Sequence, residues 1–344
     1  MSKIKFSFVS VLVFLLAVNF LAARAPKWVV DGFSKDYPQK DYFYAVGEGT
    51  SKSAAELRAV EGIASVFGQN VKSATKGDKR MAMVENQNGD YANVTSTSID
   101  QTILRQVDAE NLIALEIAET YQDEKQANKW YALAVMNKAK ATEIYTDLIE
   151  ANYSTIKTLI KQTDNKDYSL DNFSRLDFAV KLATQNDFYL KRLSIINNTA
   201  ADSLVNDQYQ PAKIKQKLRD FAVNIPVYVK VSSDDDNRIS KAFESALTSA
   251  GLSTSKGSNE RYVIKCDVHF TTKMLKGRNF CEYTVDASLS DTVVGESLIP
   301  LSFTGREGGN DENQALSRAK LKIADKISET FTKEFNNYLQ SLSM

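Results

Sequence analysis

Apolar positions along the chain follow two rhythms. "YFYAV", up to Val46, reads as a strand from Tyr42. From Ser51 to about Ser73 the apolar positions Ala55, Ala59, Ile63, Phe67 and Val71 step by four, which is one face of a helix. Ser53 and Glu56 stand in capping-box spacing at its start. A polar stretch, Ala74 to Asp90, predicts an exposed loop carrying Lys76, Lys79 and Arg80. Strand-like runs follow at Tyr91–Gln106, Ile113–Gln122 and Lys129–Met136, and "KWYALAVMNKAKA" passes into a helix near Asn137. The predicted order is β-α-β-β-β-α.

From Glu143 to Val223 the rhythm is helical throughout. "EIYTDLIEANYSTIKTLIK" places Ile144, Leu148, Ala151, Thr155 and Leu159 on one stripe. Pro211 suits the first position of a further helix ending near Ala222. This region is expected to be an insert or spacer. Alternation then returns: "IPVYVKV" is a strand, and the acidic "SDDD" caps a helix over Asn237–Ala250 that Gly251 stops. Strands at Tyr262–Thr272, Phe280–Ser290 and Glu296–Thr304 precede a long helix from Asp311 to about Leu342. The fold class expected is α+β, with two β-α-β-β-β-α sheet-and-helix domains joined by a helical segment and preceded by a signal peptide. The boundaries are 1–25 for the signal, 26–142, 143–223 for the helical linker, and 224–344.

The signal rests on Lys3 and Lys5 before the apolar run Phe6–Ala23 and the small residues Ala23 and Ala25. The run is either cut after Ala25 or Ala23 or kept as an anchor, and both outcomes export the rest. No cysteine stands at its end, which argues against a lipid there. Basic and acidic residues balance at 43 each, so bulk charge suggests no nucleic-acid partner. Export permits disulfides. Cys266 and Cys281 fall on the apolar faces of two neighbouring strands, a hairpin turning near Lys276–Gly277. They are read either as a cross-strand disulfide or as two buried free thiols.

"GTSKSAAELRAVEGIASVF" overlays "GNDENQALSRAKLKIADKI" without a gap. Gly49 falls on Gly309, Ala55 on Ala315, Arg58 on Arg318, Ala59 on Ala319 and Ile63 on Ile323. Small residues nearest the glycines let a helix sit close over a sheet. The same turn, Gly47, Gly49, Thr50 and Ser51, is a candidate anion site and carries a further alternative function, an anion-binding receptor or enzyme, because a helix N-terminus after a glycine loop can hold phosphate. It lacks the third glycine of a dinucleotide fingerprint, where Lys52 stands, and the Gly-Lys-Ser ending of a phosphate loop. His269, the single histidine, points to the polar side of its strand. No histidine–cysteine cluster has zinc spacing, Asp234, Asp235 and Asp236 read as a helix cap, and no nucleophile motif accompanies His269. No catalytic residue, metal or cofactor is assigned.

"PKWV" at Pro26–Val29, "YAVGEGTSKSAAELRAVEGIASVFG" at Tyr44–Gly68 and "YALAVMNKAKA" at Tyr131–Ala141 resemble the LPP20-like lipoproteins of bacterial cell envelopes. The same stretch is similar to the N-terminal domain of flagellar assembly protein T. The resemblance implies an exported, non-catalytic protein of the periplasm or envelope. It implies envelope proteins as partners, with membrane or peptidoglycan nearby, and leaves a flagellar accessory role as the alternative.

Overall fold

A computed structural model describes residues 25–67, 113–275 and 277–342. The signal segment, the loop Ala74–Asp90 and the strand expected at Tyr91–Gln106 lie outside the described residues. The architecture is α+β: two sheet-and-helix regions with a run of helices between them in sequence. Its described residues divide into two compact units, one holding 25–66 and 114–137, the other holding 67, 113, 138–275 and 277–342.

The first unit opens with a single turn, α1 (Lys27–Val30), followed by β1 (Tyr42–Gly49) and helix α2 over 52–67. Strands β2 (Leu115–Gln122) and β3 (Trp130–Asn137) join β1, and among the described residues the sheet has three antiparallel strands in the order β1-β3-β2. Alternation sorts its two faces. Tyr42, Tyr44 and Val46 of β1, with Leu133 and Val135 of β3, meet buried Trp28, whose Nε1–H donates to Glu119 Oε2 at 2.7 Å. Ala45, Gly47 and Gly49 face the other way, against α2. Ala55, Ala59, Ile63 and Phe67, the four-residue row foreseen on α2, are all buried; Val71 lies outside the described residues.

The second unit begins with helices α3 (Lys138–Gln162), α4 (Leu170–Ile196), α5 (Asn198–Leu204) and α6 (Pro211–Ala222). The buried face of α3 is Ala141, Tyr145, Ile149, Ile156 and Leu159, so the predicted stripe is rotated: Ala151 and Thr155 are exposed. The helices are also not a mere spacer. Leu170, Phe173 and Leu176 of α4 join the core of the sheet that follows, while Ala179 and Ala183 pack with Ile156, Leu159 and Ile214. A helix apolar on two sides has no single stripe to reveal which neighbour it serves. Leu170 N–H donates to Tyr262 Oη at 2.9 Å, and Ser174 Oγ–H donates to the Leu339 carbonyl, tying α4 to what comes later.

After β4 (Pro226–Val231) and α7 (Arg238–Ser249) come β5 (Ser253–Ser255), β6 (Tyr262–Leu275), β7 (Arg278–Asp291), β8 (Glu296–Gly309) and α8 (Glu312–Leu342). The order is β5-β4-β6-β7-β8; β4 runs parallel to β5 and β6, and the remaining pairs are antiparallel. Strand β5, three polar residues, was not expected. On the inner face Cys266, Val268, Cys281, Val285 and Phe303 pack with Phe243 of α7 and the α8 row Ala315, Ala319, Ile323, Ile327 and Phe331. Phe243 meets Phe331 edge-on at 5.0 Å between ring centroids.

Candidate functional site

The turn that ends β1 holds its backbone very close to α2. A Cβ built on Gly47 would lie 2.1 Å from the Ala55 carbonyl oxygen and 2.3 Å from Ala59 N. On Gly49 it would lie 2.5 Å from Ala55 N. Neither glycine has a positive φ, so close approach, not turn geometry, is what requires them. Ser51 Oγ accepts from Ala54 N–H at 3.2 Å, and the Ser51 carbonyl accepts from Ala55 N–H at 3.0 Å. The cap is therefore Ser51, two residues before the Ser53 expected. Arg58 Nη1 donates to the Glu48 carbonyl at 2.6 Å.

The turn ending β8 repeats this arrangement at the equivalent residues. A Cβ on Gly309 would meet Ala315 N at 2.4 Å. Asp311 Oδ1 accepts from Gln314 N–H at 2.7 Å, and its carbonyl accepts from Ala315 N–H at 3.1 Å. Arg318 Nη1 donates to the Gly308 carbonyl at 2.8 Å. Among the described residues both strands are the last in their sheets. The shared arginine thus satisfies a carbonyl at the end of an edge strand, while glycine and alanine bring helix and strand into contact. In a phosphate loop the backbone N–H groups converge on an open space. At Gly47–Ser51 the space beside the strand is filled by the helix backbone, and the Ala54 and Ala55 N–H groups are already bonded.

Other candidates disperse. Asp234 caps α7, its Oδ1 accepting from Ile239 N–H at 3.1 Å and its Oδ2 from Ser240 N–H at 2.8 Å. Asp236 turns instead to Arg238 at 3.4 Å and Lys320 at 3.5 Å. Among the described residues no group of three or more His, Cys, Asp and Glu side chains is placed to hold a metal. His269 is exposed on the outer face of the second sheet, beside Thr271, Thr284, Thr304, Glu282 and Arg306, which line a depression of about 470 Å³. Glu282 is bound to Lys273 at 2.7 Å, and that hydrogen bond holds its carboxyl below the ordinary range.

Cys266 and Cys281 are free and buried. They share the inner face, as alternation foresaw, but they do not meet. Cys266 lies opposite Ala287 and Cys281 opposite Thr272, six residues further along β6. That is roughly 20 Å at the rise of a strand, well beyond the ~7 Å Cα separation a disulfide can span. The disulfide alternative is therefore corrected to two thiols. Burial pushes the Cys266 thiol up to about 12 and raises that of Cys281 as well. Both are expected to be inert to a thiol-titrating reagent in the native protein and to react fully in denaturant. Fast modification of either in the folded chain would contradict this packing.

The fold is thus that of an α+β protein whose most site-like feature is a packing turn used twice. Residues 26–137, about a third of the chain, match the model of the LPP20 lipoprotein family. This supports the resemblance drawn from "PKWV" and the glycine turn, for that segment. No curated protein matches the chain. Among solved structures, a minor lipoprotein of Acinetobacter baumannii is similar at 16% identity over 33% of this chain and 94% of its own, with a TM-score of 0.27. A secreted protein of Helicobacter pylori is 16% identical over 85% of this chain and all of its own, with a TM-score of 0.41. A lipoprotein of Neisseria meningitidis is 17% identical over 30% of this chain and 99% of its own, with a TM-score of 0.22. No helix among the described residues is long and apolar enough to cross a membrane.

Proposed function

We propose that this chain is an exported, non-catalytic protein of the bacterial periplasm or envelope that works as a structural or adaptor component through protein–protein contacts. The observation that carries this reading is the match of residues 26–137 to the LPP20 lipoprotein family. Two features support it. The turn that most resembles a nucleotide loop is filled by its own helix, and Asp234, Asp236 and Glu282 serve as a cap and in ion pairs. The edges of the two sheets and the exposed sides of α3 to α6 are the surfaces such a component would offer.

Affinity capture of the exported form from gently solubilised envelopes, followed by identification of what comes with it, tests the reading. A defined envelope protein in near-constant ratio is expected. If that protein belongs to the flagellar motor, the component is an accessory of that machine. Recovery of the chain without any envelope protein, at native expression level, would overturn the adaptor role.

A further inference from the structure

Strand β8 is 14 residues long and lies at the end of its sheet, so among the described residues one of its sides carries no strand. An edge of this kind is a template for another strand unless something blunts it. Pro300, opposite Ser288, sets the parity of that edge. A proline in an edge strand keeps its missing N–H on the outward side, and in an antiparallel pair the bonding direction alternates residue by residue. Residues 300, 302, 304, 306 and 308 therefore aim their backbone groups outward. The bond from Arg318 to the Gly308 carbonyl agrees with this. Ser302, Thr304 and Arg306 are exposed.

We propose that two copies of the chain join their β8 edges antiparallel, centred on Thr304. In that register Thr304 faces its own copy, Ser302 faces Arg306, Phe303 faces Gly305 and Pro300 faces Gly308. The position that lacks a donor thus faces the one whose carbonyl is already taken by Arg318, and no backbone group is left unpaired by the match. Moving the centre to Ser302 would set Pro300 against the free Thr304 carbonyl. Moving it to Arg306 would set the Thr304 N–H against the occupied Gly308 carbonyl. Only the Thr304 centre avoids both losses. Its side-chain pairs also fit: no like charges face each other, and Thr opposite Thr is a favourable cross-strand pair. Ser302 Oγ–H donates to Asp286 Oδ1 at 2.6 Å, so the guanidinium of the second copy arrives next to a carboxylate. A continuous sheet with two-fold symmetry results. The contact is of the chain with itself and does not depend on the envelope reading.

Sedimentation velocity over a concentration series of the purified chain tests it, alongside T304P and T304C. Thr304 gives its N–H to no strand of its own sheet, so T304P keeps the circular dichroism of the parent. It is expected to weaken self-association at least about tenfold, because two central bonds are lost. T304C is expected to form a disulfide-linked dimer under mild oxidation, since residues facing each other in a ladder lie at ~5.5 Å between Cα atoms. The native thiols, being buried, stay silent. A parent chain that is monomeric throughout the series, or a dimer that T304P leaves unchanged, would overturn the proposal. So would an edge filled by a different protein in the captured complex.

Discussion

G47A is expected to destabilise the first unit by about 3 kcal/mol, the upper end of what overpacking costs. Its new methyl would stand 2.1 Å from a backbone oxygen and 2.3 Å from a backbone nitrogen of α2. No side chain can rotate away to make room, because the obstacles are backbone. The helix must lift by on the order of 1 Å, the difference from an ordinary van der Waals contact. Lifting it separates Ala55, Ala59 and Ile63 from the sheet together and pulls Arg58 off the Glu48 carbonyl. A fall in midpoint on the order of 10 °C is expected in a unit of this size. G309A should do the same to the second unit through Ala315. Thermal unfolding followed by circular dichroism checks both, and an unchanged midpoint in either would contradict the close packing.

W28A should cost about as much or more on the opposite face of the same sheet, roughly 3–5 kcal/mol. Trp28 is only 3% exposed and covers Leu133 and Val135, both fully buried. Removing it leaves a cavity and exposes the sheet, since α1 is one turn and cannot close over the gap. It also strips Glu119 of its indole donor. W28F restores most of the apolar volume without that donor, so it should fall between the two. Urea unfolding of the parent, W28F and W28A measures the order; W28A as stable as the parent would mean that the N-terminal segment is not part of the first unit's core. The two units need not unfold together, so each transition has to be followed separately.

The sequence made both edge-strand turns visible because a close approach demands residue types that recur: glycine on the strand, alanine on the helix, arginine one turn later. It did not show why Arg58 and Arg318 correspond. That required seeing that each reaches back to a carbonyl at the end of an edge strand. The cysteine register was in principle countable. With Leu275 opposite Arg278 across the turn, Cys266 has to face Ala287; alternation alone reports only the face. Strand β5 was illegible because Ser253, Thr254 and Ser255 carry no apolar signal, and the parallel neighbour β4 supplies its bonds. The role of α4 was hidden for the opposite reason. Its apolar residues point both to the helical group around Ile156 and to the core around Phe243, so no single periodicity separates them.

At the Gly47–Ser51 turn the backbone of α2 fills the space beside the strand that a phosphate loop leaves open. Thermal unfolding of the parent chain with and without millimolar inorganic phosphate and ATP, beside G47A, tests it most directly, since a ligand that binds only the folded state raises the midpoint. No shift with either compound is expected, and G47A should have a lowered midpoint in their presence and absence alike. A parent midpoint raised by phosphate or ATP, with G47A equally stable but deaf to them, would contradict it.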